Sequence, residues 1–213
     1  MMCLQDTVNF CKILSEKCPG LSHLWIHFIN SSGLRSVFHE ESLFYIARLS
    51  SLESLFLVEA DLRGDLRPIL SSCPRLTQIQ LLKCAIHASF YTAVSQCCRK
   101  LENFNVCNSQ IMVDASDRNP DLCQRARNII FANRKLKRFL INTTIDSCDE
   151  ATLDDLTDNL ENLKNLAFNN RGGFPEIGGS FIRCIDKFQN LSTIMIRSYH
   201  ISQVSNVIKF PVT

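Results

Sequence analysis

One phrase, Leu-x-x-apolar-x-apolar, returns seven times along the 213 residues. A chain with such an internal period has to be read as a repeat before anything else, because a missed repeat misassigns the whole fold. The leading leucines are Leu21, Leu52, Leu76, Leu101, Leu136, Leu163 and Leu191, spaced by 31, 24, 25, 35, 27 and 28 residues. Three places later stand Leu24, Leu55, Ile79, Phe104, Phe139, Leu166 and Ile194, and two places beyond them Ile26, Leu57, Leu81, Val106, Ile141, Phe168 and Ile196. With 46% of the chain hydrophobic, apolar residues at all 21 places have a chance probability of about one in ten million, before discounting the freedom to choose the register.

The last two members of each phrase lie two residues apart, the period at which side chains of a strand return to the same face. Each phrase therefore reads as a short parallel strand, near residues 22–28, 53–58, 77–82, 102–107, 137–142, 164–169 and 192–197. Residues two, four and six after each leading leucine point the other way, out of the core, and are mostly polar.

Ahead of each leading leucine the period changes to that of a helix. Leu14, Tyr45, Ile69, Val94, Ile129, Leu156 and Cys184 stand seven places before it, and Cys18, Leu49, Cys73, Cys98, Asn133, Leu160 and Phe188 three places before. All but Asn133 can be buried, and Cys11, Leu66, Tyr91, Ala126, Leu153 and Phe181 extend the stripe ten places before. An amphipathic helix is thus expected before each strand, with Asp6 or Thr7, Ser89, Asp121, Thr152 and Ser180 as N-caps. The predicted unit is helix, tight turn, strand and loop. Parallel strands joined by helical crossovers place the helices on one side, and stacked copies curve. The expected fold is α/β: a single domain over residues 1–213, a horseshoe-shaped solenoid of about seven repeats, parallel sheet on the concave face and helices on the convex face.

The third copy, Cys73-Pro74-Arg75-Leu76-Thr77-Gln78-Ile79-Gln80-Leu81-Leu82-Lys83-Cys84-Ala85-Ile86, resembles the cysteine-containing, ribonuclease-inhibitor-like leucine-rich repeat of F-box proteins, and Cys18-Pro19-Gly20-Leu21-Ser22-His23-Leu24 repeats its opening. The resemblance covers the framework from about residue 6 to 201. The family's cysteine eight places after the leading leucine is present at Cys84, whereas Ala60, Ser109 and Thr144 stand there in other copies. F-box proteins are substrate receptors of cullin-type ubiquitin ligases. The resemblance therefore implies a protein-protein interaction module that holds a target protein on its concave face for an SCF-type ubiquitin ligase. No segment reads as the helical F-box, so the chain is expected to start inside the solenoid; the ligase adaptor and cullin become partners only through an F-box outside this chain. The run Ile201 to Thr213 reads as too short for a closing repeat. A second resemblance, to the Ran GTPase-activating protein, implies a GTPase regulator; that family carries asparagine where Cys84, Ala60 and Ser109 stand here. A leucine-rich-repeat scaffold without a ubiquitin role is the remaining reading.

Composition narrows the partners. The formal charge is +2, from 23 basic and 21 acidic residues, so no net field holds a polyanion or a membrane surface, and neither nucleic acid nor membrane is an expected partner. Eleven cysteines form no CxxC pair, and the N-terminus lacks the basic and apolar regions of a secretory signal. A reducing compartment is expected, cytoplasmic or nuclear, and the N-x-S/T triplets at Asn30, Asn142 and Asn190 are expected to stay unmodified.

No catalytic, cofactor or metal site is expected. Cys18, Cys73 and Cys98 share one phase of the repeat and read as core. His23 and His27 lie four residues apart on a strand, about 13 Å, too far for two ligands of one zinc ion. The glycine-rich run Arg171 to Ser180 lacks the Gly-Lys-Ser/Thr ending of a phosphate loop and reads as a connection with Phe174 at its tip. The basic run Arg134-Lys135-Leu136-Lys137-Arg138 reads as a solvated strand start, because Leu136 is a repeat anchor.

The binding candidate is the outward strand face. Trp25, Phe56, Val58, Leu82, Leu140 and Met195 stand on it, with His23, His27, Gln78, Gln80, Asn103, Asn105, Asn142, Asn165 and Asn169 between them and Arg138 and Arg197 as the main charges. Trp25 is the chain's single tryptophan, and aromatic anchors ringed by polar groups are how binding hot spots look.

Overall fold

The structure, a computed structural model, describes residues 4–28, 36–62, 64–112, 122–141, 158–159, 161–170, 190–198 and 206–209. In chain order the elements are α1 (Leu4–Lys17), β1 (His23–His27), β2 (Ser36–Val37), α2 (Glu40–Ile46), β3 (Ser54–Val58), β4 (Ala60–Leu62), α3 (Arg67–Ser72), β5 (Gln78–Leu82), β6 (Ala85–His87), α4 (Ser89–Cys97), β7 (Asn103–Asn105), β8 (Gln110–Met112), α5 (Leu122–Ala132), β9 (Arg138–Ile141), β10 (Asn165–Asn170), β11 (Thr193–Ser198) and β12 (Asn206–Lys209). The helix expected before β10 is described only at residues 158–159 and that before β11 not at all, and the expected caps Asp121, Thr152 and Ser180 lie outside the described residues.

Seven strands, β1, β3, β5, β7, β9, β10 and β11, form one parallel sheet in chain order. Each of the seven phrases lies on one of them. Their phases align across the sheet: Leu24, Leu55, Ile79, Phe104, Phe139, Leu166 and Ile194 pair in a single row. A slip by one residue would turn every such row to solvent, which is why the pattern selects the register. The sheet is not parallel throughout, because β12 closes it antiparallel to β11.

Between the strands the backbone repeats one connection. The carbonyl of the residue after the leading leucine accepts two N–H groups from the next unit: Ser22 from Glu53 and Ser54, Glu53 from Thr77 and Gln78, Thr77 from Glu102 and Asn103. Glu102, Lys137 and Lys164 continue the series into β9, β10 and β11. The tight turn ahead of the strand is equally regular, with the leucine N–H donating to the carbonyl three residues back at Leu21, Leu52, Leu76 and Leu136.

The helices pack on one another in chain order, α1 on α2 through to α4 on α5. Between them and the sheet lies one continuous core, in which Leu24, Leu55, Leu57, Ile79, Leu81, Phe104, Val106, Phe139, Ile141, Leu166 and Ile194 of the phrases are buried. Leu21 and Ile26, in the edge unit, are half-buried against it. Phe104 stacks on Phe139 at 5.8 Å, with Phe90 and Tyr91 of α4 around it.

Asn133, the one polar residue of its phase, is buried as well. The turns at Leu21, Leu52, Leu76 and Leu136 supply an acceptor for the leading leucine, but the Leu101 N–H donates instead to Asn133 Oδ1 at 2.9 Å, and Asn133 Nδ2 donates to the Ile129 carbonyl at 3.1 Å. The amide replaces a missing turn bond. Cys18 departs in the other direction. Cys73 is buried because it packs on the preceding unit, its thiol donating to the Leu49 carbonyl at 3.4 Å; Cys18 belongs to the edge unit and is exposed, so it is not core.

The expected caps are also corrected. Asp6 lies inside the first turn of α1, and Ser89 is the first residue of α4 rather than its cap, its hydroxyl held by His87. Helix α2 starts instead at His39, whose ring accepts the Glu41 N–H, and the start of α3 is held by Asp65, which accepts the Arg67 N–H at 2.9 Å.

The connections leaving β1, β3, β5 and β7, expected as plain loops, contain a second parallel sheet of order β2-β4-β6-β8. The chain enters it through Glu59, Lys83 and Asn108, each seven places after a leading leucine and each in the left-handed region, with φ of 60, 54 and 57°. The following residues, Ala60, Cys84 and Ser109, are fully buried. Ser109 Oγ accepts the Cys84 N–H at 3.1 Å and donates to the Leu81 carbonyl at 2.9 Å. Small residues stand there because two sheets and the next unit meet at that point.

Candidate functional site

The pleat that buries one side of the parallel sheet presents the other, and the register sorts that open face into rows. The row nearest the strand starts holds His23, Ser54, Gln78, Asn103, Arg138, Asn165 and Thr193. The middle row holds Trp25, Phe56, Gln80, Asn105, Leu140, Ala167 and Met195. The third begins with His27, Val58 and Leu82, and Asn169 pairs with Arg197 further along.

Trp25 is 70% exposed, and its ring lies 5.1 Å from that of Phe56, tilted by 30°. Phe56, Val58 and Leu82 are half-buried beside it, so three strands form one apolar patch. His27 is exposed at the end of β1, and His23 stands at the other end with its ring hydrogen-bonded to Ser22 Oγ at 2.7 Å.

Beyond the patch the face becomes polar. Gln78, Gln80, Asn103, Asn105 and Asn165 are half-buried. Asn105 Oδ1 accepts the Cys107 N–H at 3.1 Å, which leaves its amide NH2 group to the face. Arg138 is exposed, whereas Leu140 and Met195 are half-buried on either side of Ala167, a buried residue of the same row. Ser54, Ala167 and Thr193 share the site's phase although the expected contacts do not include them; their distance from the leading leucine identifies them. Asn142 and Phe174 lie outside the described residues, as do the side chains of Asn169 and Arg197.

Three acidic groups bordering the face are paired: Glu53 with Arg75 at 3.5 Å, Glu59 with Lys83 at 3.0 Å and Glu102 with Lys137 at 2.7 Å. Leu136 is fully buried, so the basic run is pinned at the start of β9 while Arg134, Lys135 and Arg138 stay exposed.

The cysteines have different chemistry available to them. Burial pushes the thiols of Cys11 and Cys73 up to about 11 and that of Cys98 up to about 12, so at neutral pH none supplies the thiolate that nucleophilic or ligating chemistry needs. His87 Nδ1 and Ser89 Oγ lie 2.7 Å apart, but the same nitrogen also accepts the Ser89 N–H at 3.3 Å, which makes the pair a clasp on the start of α4. Among the described residues no three His, Cys, Asp or Glu side chains gather as a metal site, and no helix is long and apolar enough to cross a membrane. No protein-family model matches this chain, and no curated protein matches its sequence.

Proposed function

We propose that the chain is a leucine-rich-repeat solenoid that captures a target protein on the open face of its sheet, as the substrate-recognition part of an SCF-type ubiquitin ligase. The fold half of this reading is supported by the chain-order parallel strands and by the repeated carbonyl that accepts two N–H groups from the next unit. The binding half rests on one observation, the Trp25–Phe56 pair held exposed on a sheet face that the helices do not cover. Leaving a large aromatic surface in water costs free energy, about 25 cal/mol per Å2, which a bound partner recovers. The ubiquitin half rests on resemblance to F-box repeats alone.

Two measurements test the parts separately. Affinity purification of the full-length gene product recovers the ligase adaptor and a cullin under this reading; a product with no F-box and neither partner loses the ubiquitin assignment and keeps the binding role. A Trp25→Ala/Phe56→Ala double variant, still folded by circular dichroism, loses at least about tenfold in affinity for the captured target. Unchanged affinity would move the binding site off this face.

A further inference from the structure

We infer that the ligand of the open face is an extended, acidic and apolar protein segment, with a large apolar side chain on Trp25 and Phe56 and a carboxylate about six residues away on Arg138. The inference rests on the binding role proposed above and names the chemistry of its ligand.

The sign of the charge carries it first. Taking the positions two, four and six after every leading leucine, the ionised side chains are arginines, Arg138 and Arg197, and none is aspartate or glutamate. The neighbouring acids are neutralised by their ion pairs. Around Arg138, the side chains of Arg134, Lys135 and Lys164 are exposed, and among the described residues no carboxylate lies within ion-pair distance of these four cations. A carboxylate approaching β9 therefore meets cations that no ion pair among the described residues neutralises, and the planar guanidinium offers it a bidentate fork.

Spacing and intervening chemistry define the rest. From β1 to β9 there are four strand steps, about 19 Å at roughly 4.8 Å each, and the diagonal from Trp25 to Arg138 is about 20 Å. An extended chain rising about 3.3 Å per residue covers that in roughly six residues. Between the two anchors lie Gln78, Gln80 and Asn103, half-buried amides that both donate and accept, as the peptide groups of an extended segment require. Single-stranded nucleic acid could also stack on Trp25 and Phe56, but its affinity depends on phosphates neutralised in series, and the amides of β5 and β7 interrupt the cations at the middle of the path.

The test is selection from a phage-displayed library of random dodecapeptides on the immobilised full chain, with Trp25→Ala and Arg138→Glu variants checked for folding by circular dichroism. The expected result is enrichment of peptides carrying Asp or Glu about five to seven residues from Trp, Phe, Leu or Ile. A synthetic copy of the leading peptide should bind each variant about tenfold more weakly. If enriched peptides bind Arg138→Glu as well as the parent yet are lost on Trp25→Ala, the acidic class is wrong and the binding face stands. If nothing is enriched, or neither substitution matters, the binding face falls with it. Binding of a twelve-nucleotide oligothymidylate more tightly than any peptide, and its loss on Trp25→Ala, would replace the protein segment by nucleic acid.

Discussion

Replacing Asn133 by alanine removes a buried amide that ties the unit of β9 to that of β7. Its Oδ1 accepts the Leu101 N–H at 2.9 Å and its Nδ2 donates to the Ile129 carbonyl at 3.1 Å, while both Asn133 and Leu101 are buried. Leu21, Leu52, Leu76 and Leu136 bond to their own turns, whereas Leu101 has no such second acceptor. An orphaned buried N–H costs about 1–3 kcal/mol and the second bond about 1 kcal/mol more, so Asn133→Ala should destabilise by about 2–4 kcal/mol. For a chain of this length that lowers the melting midpoint by roughly 5–15 °C. Because structure opens locally as well as globally, hydrogen exchange read by mass spectrometry is the sharper assay: the Leu101 amide should lose its protection while the Thr77 amide, bonded to the Glu53 carbonyl, keeps its own. Asn133→Asp separates the two bonds, since a carboxylate still accepts from Leu101 but cannot donate to Ile129 and brings a buried charge. A cost below about 0.5 kcal/mol for Asn133→Ala, with Leu101 still protected, would refute the account and mean that the turn closes on Cys98 once the amide is gone.

Other consequences are as direct. Ser109→Ala removes the acceptor of the Cys84 N–H and the donor to the Leu81 carbonyl, and should cost about 2–3 kcal/mol in urea unfolding, whereas the solvent-side Ser71→Ala should cost less than about 0.5 kcal/mol. Lys83 holds a φ of 54°, so Lys83→Gly should be neutral or stabilising by up to about 1 kcal/mol despite losing the exposed Glu59 ion pair, while the β-branched Lys83→Val should destabilise by at least about 1 kcal/mol; equal effects would remove the strain argument. A thiol-alkylating reagent at pH 8 should label the exposed Cys18 much faster than Cys11, Cys73 and Cys98 in the native protein. These buried thiols hold their protons more tightly folded than unfolded, so their contribution to stability should be level below pH 9 and fall as the pH rises from 9 towards about 12; a variant with alanine at all three positions should lose the part of this fall that begins near pH 9 and keep the part above pH 10 that the buried Tyr91 hydroxyl, also pushed up by burial, contributes.

What was legible in the sequence follows from local pattern. Alternation of period two in each phrase, with the buried face always three and five places after a leucine, placed the strands, and the single register that buries every such row then aligned them. The same arithmetic placed Trp25, Phe56, Val58 and Leu82 on one face, because they occupy fixed distances from Leu21, Leu52 and Leu76. It did not reveal that the Trp25 and Phe56 rings meet, since that depends on rotamers across two strands 31 residues apart in sequence.

The second sheet escaped because strands of two or three residues are too short to show a period, and they exist only where neighbouring copies pair. Cys18 and Cys73 occupy one phase and read alike; only tertiary packing decided that Cys73, its thiol against the Leu49 carbonyl, is buried and Cys18 is not. Asn133 read as an exception to the buried stripe, yet it belongs in it, for the donor that makes its burial favourable comes from Leu101, a residue 32 places earlier. Sequence by itself determined which face of each element is apolar, since that is a property of a few consecutive side chains. Tertiary structure decided which polar and small groups could join the core, because each needs a specific atom supplied by another unit.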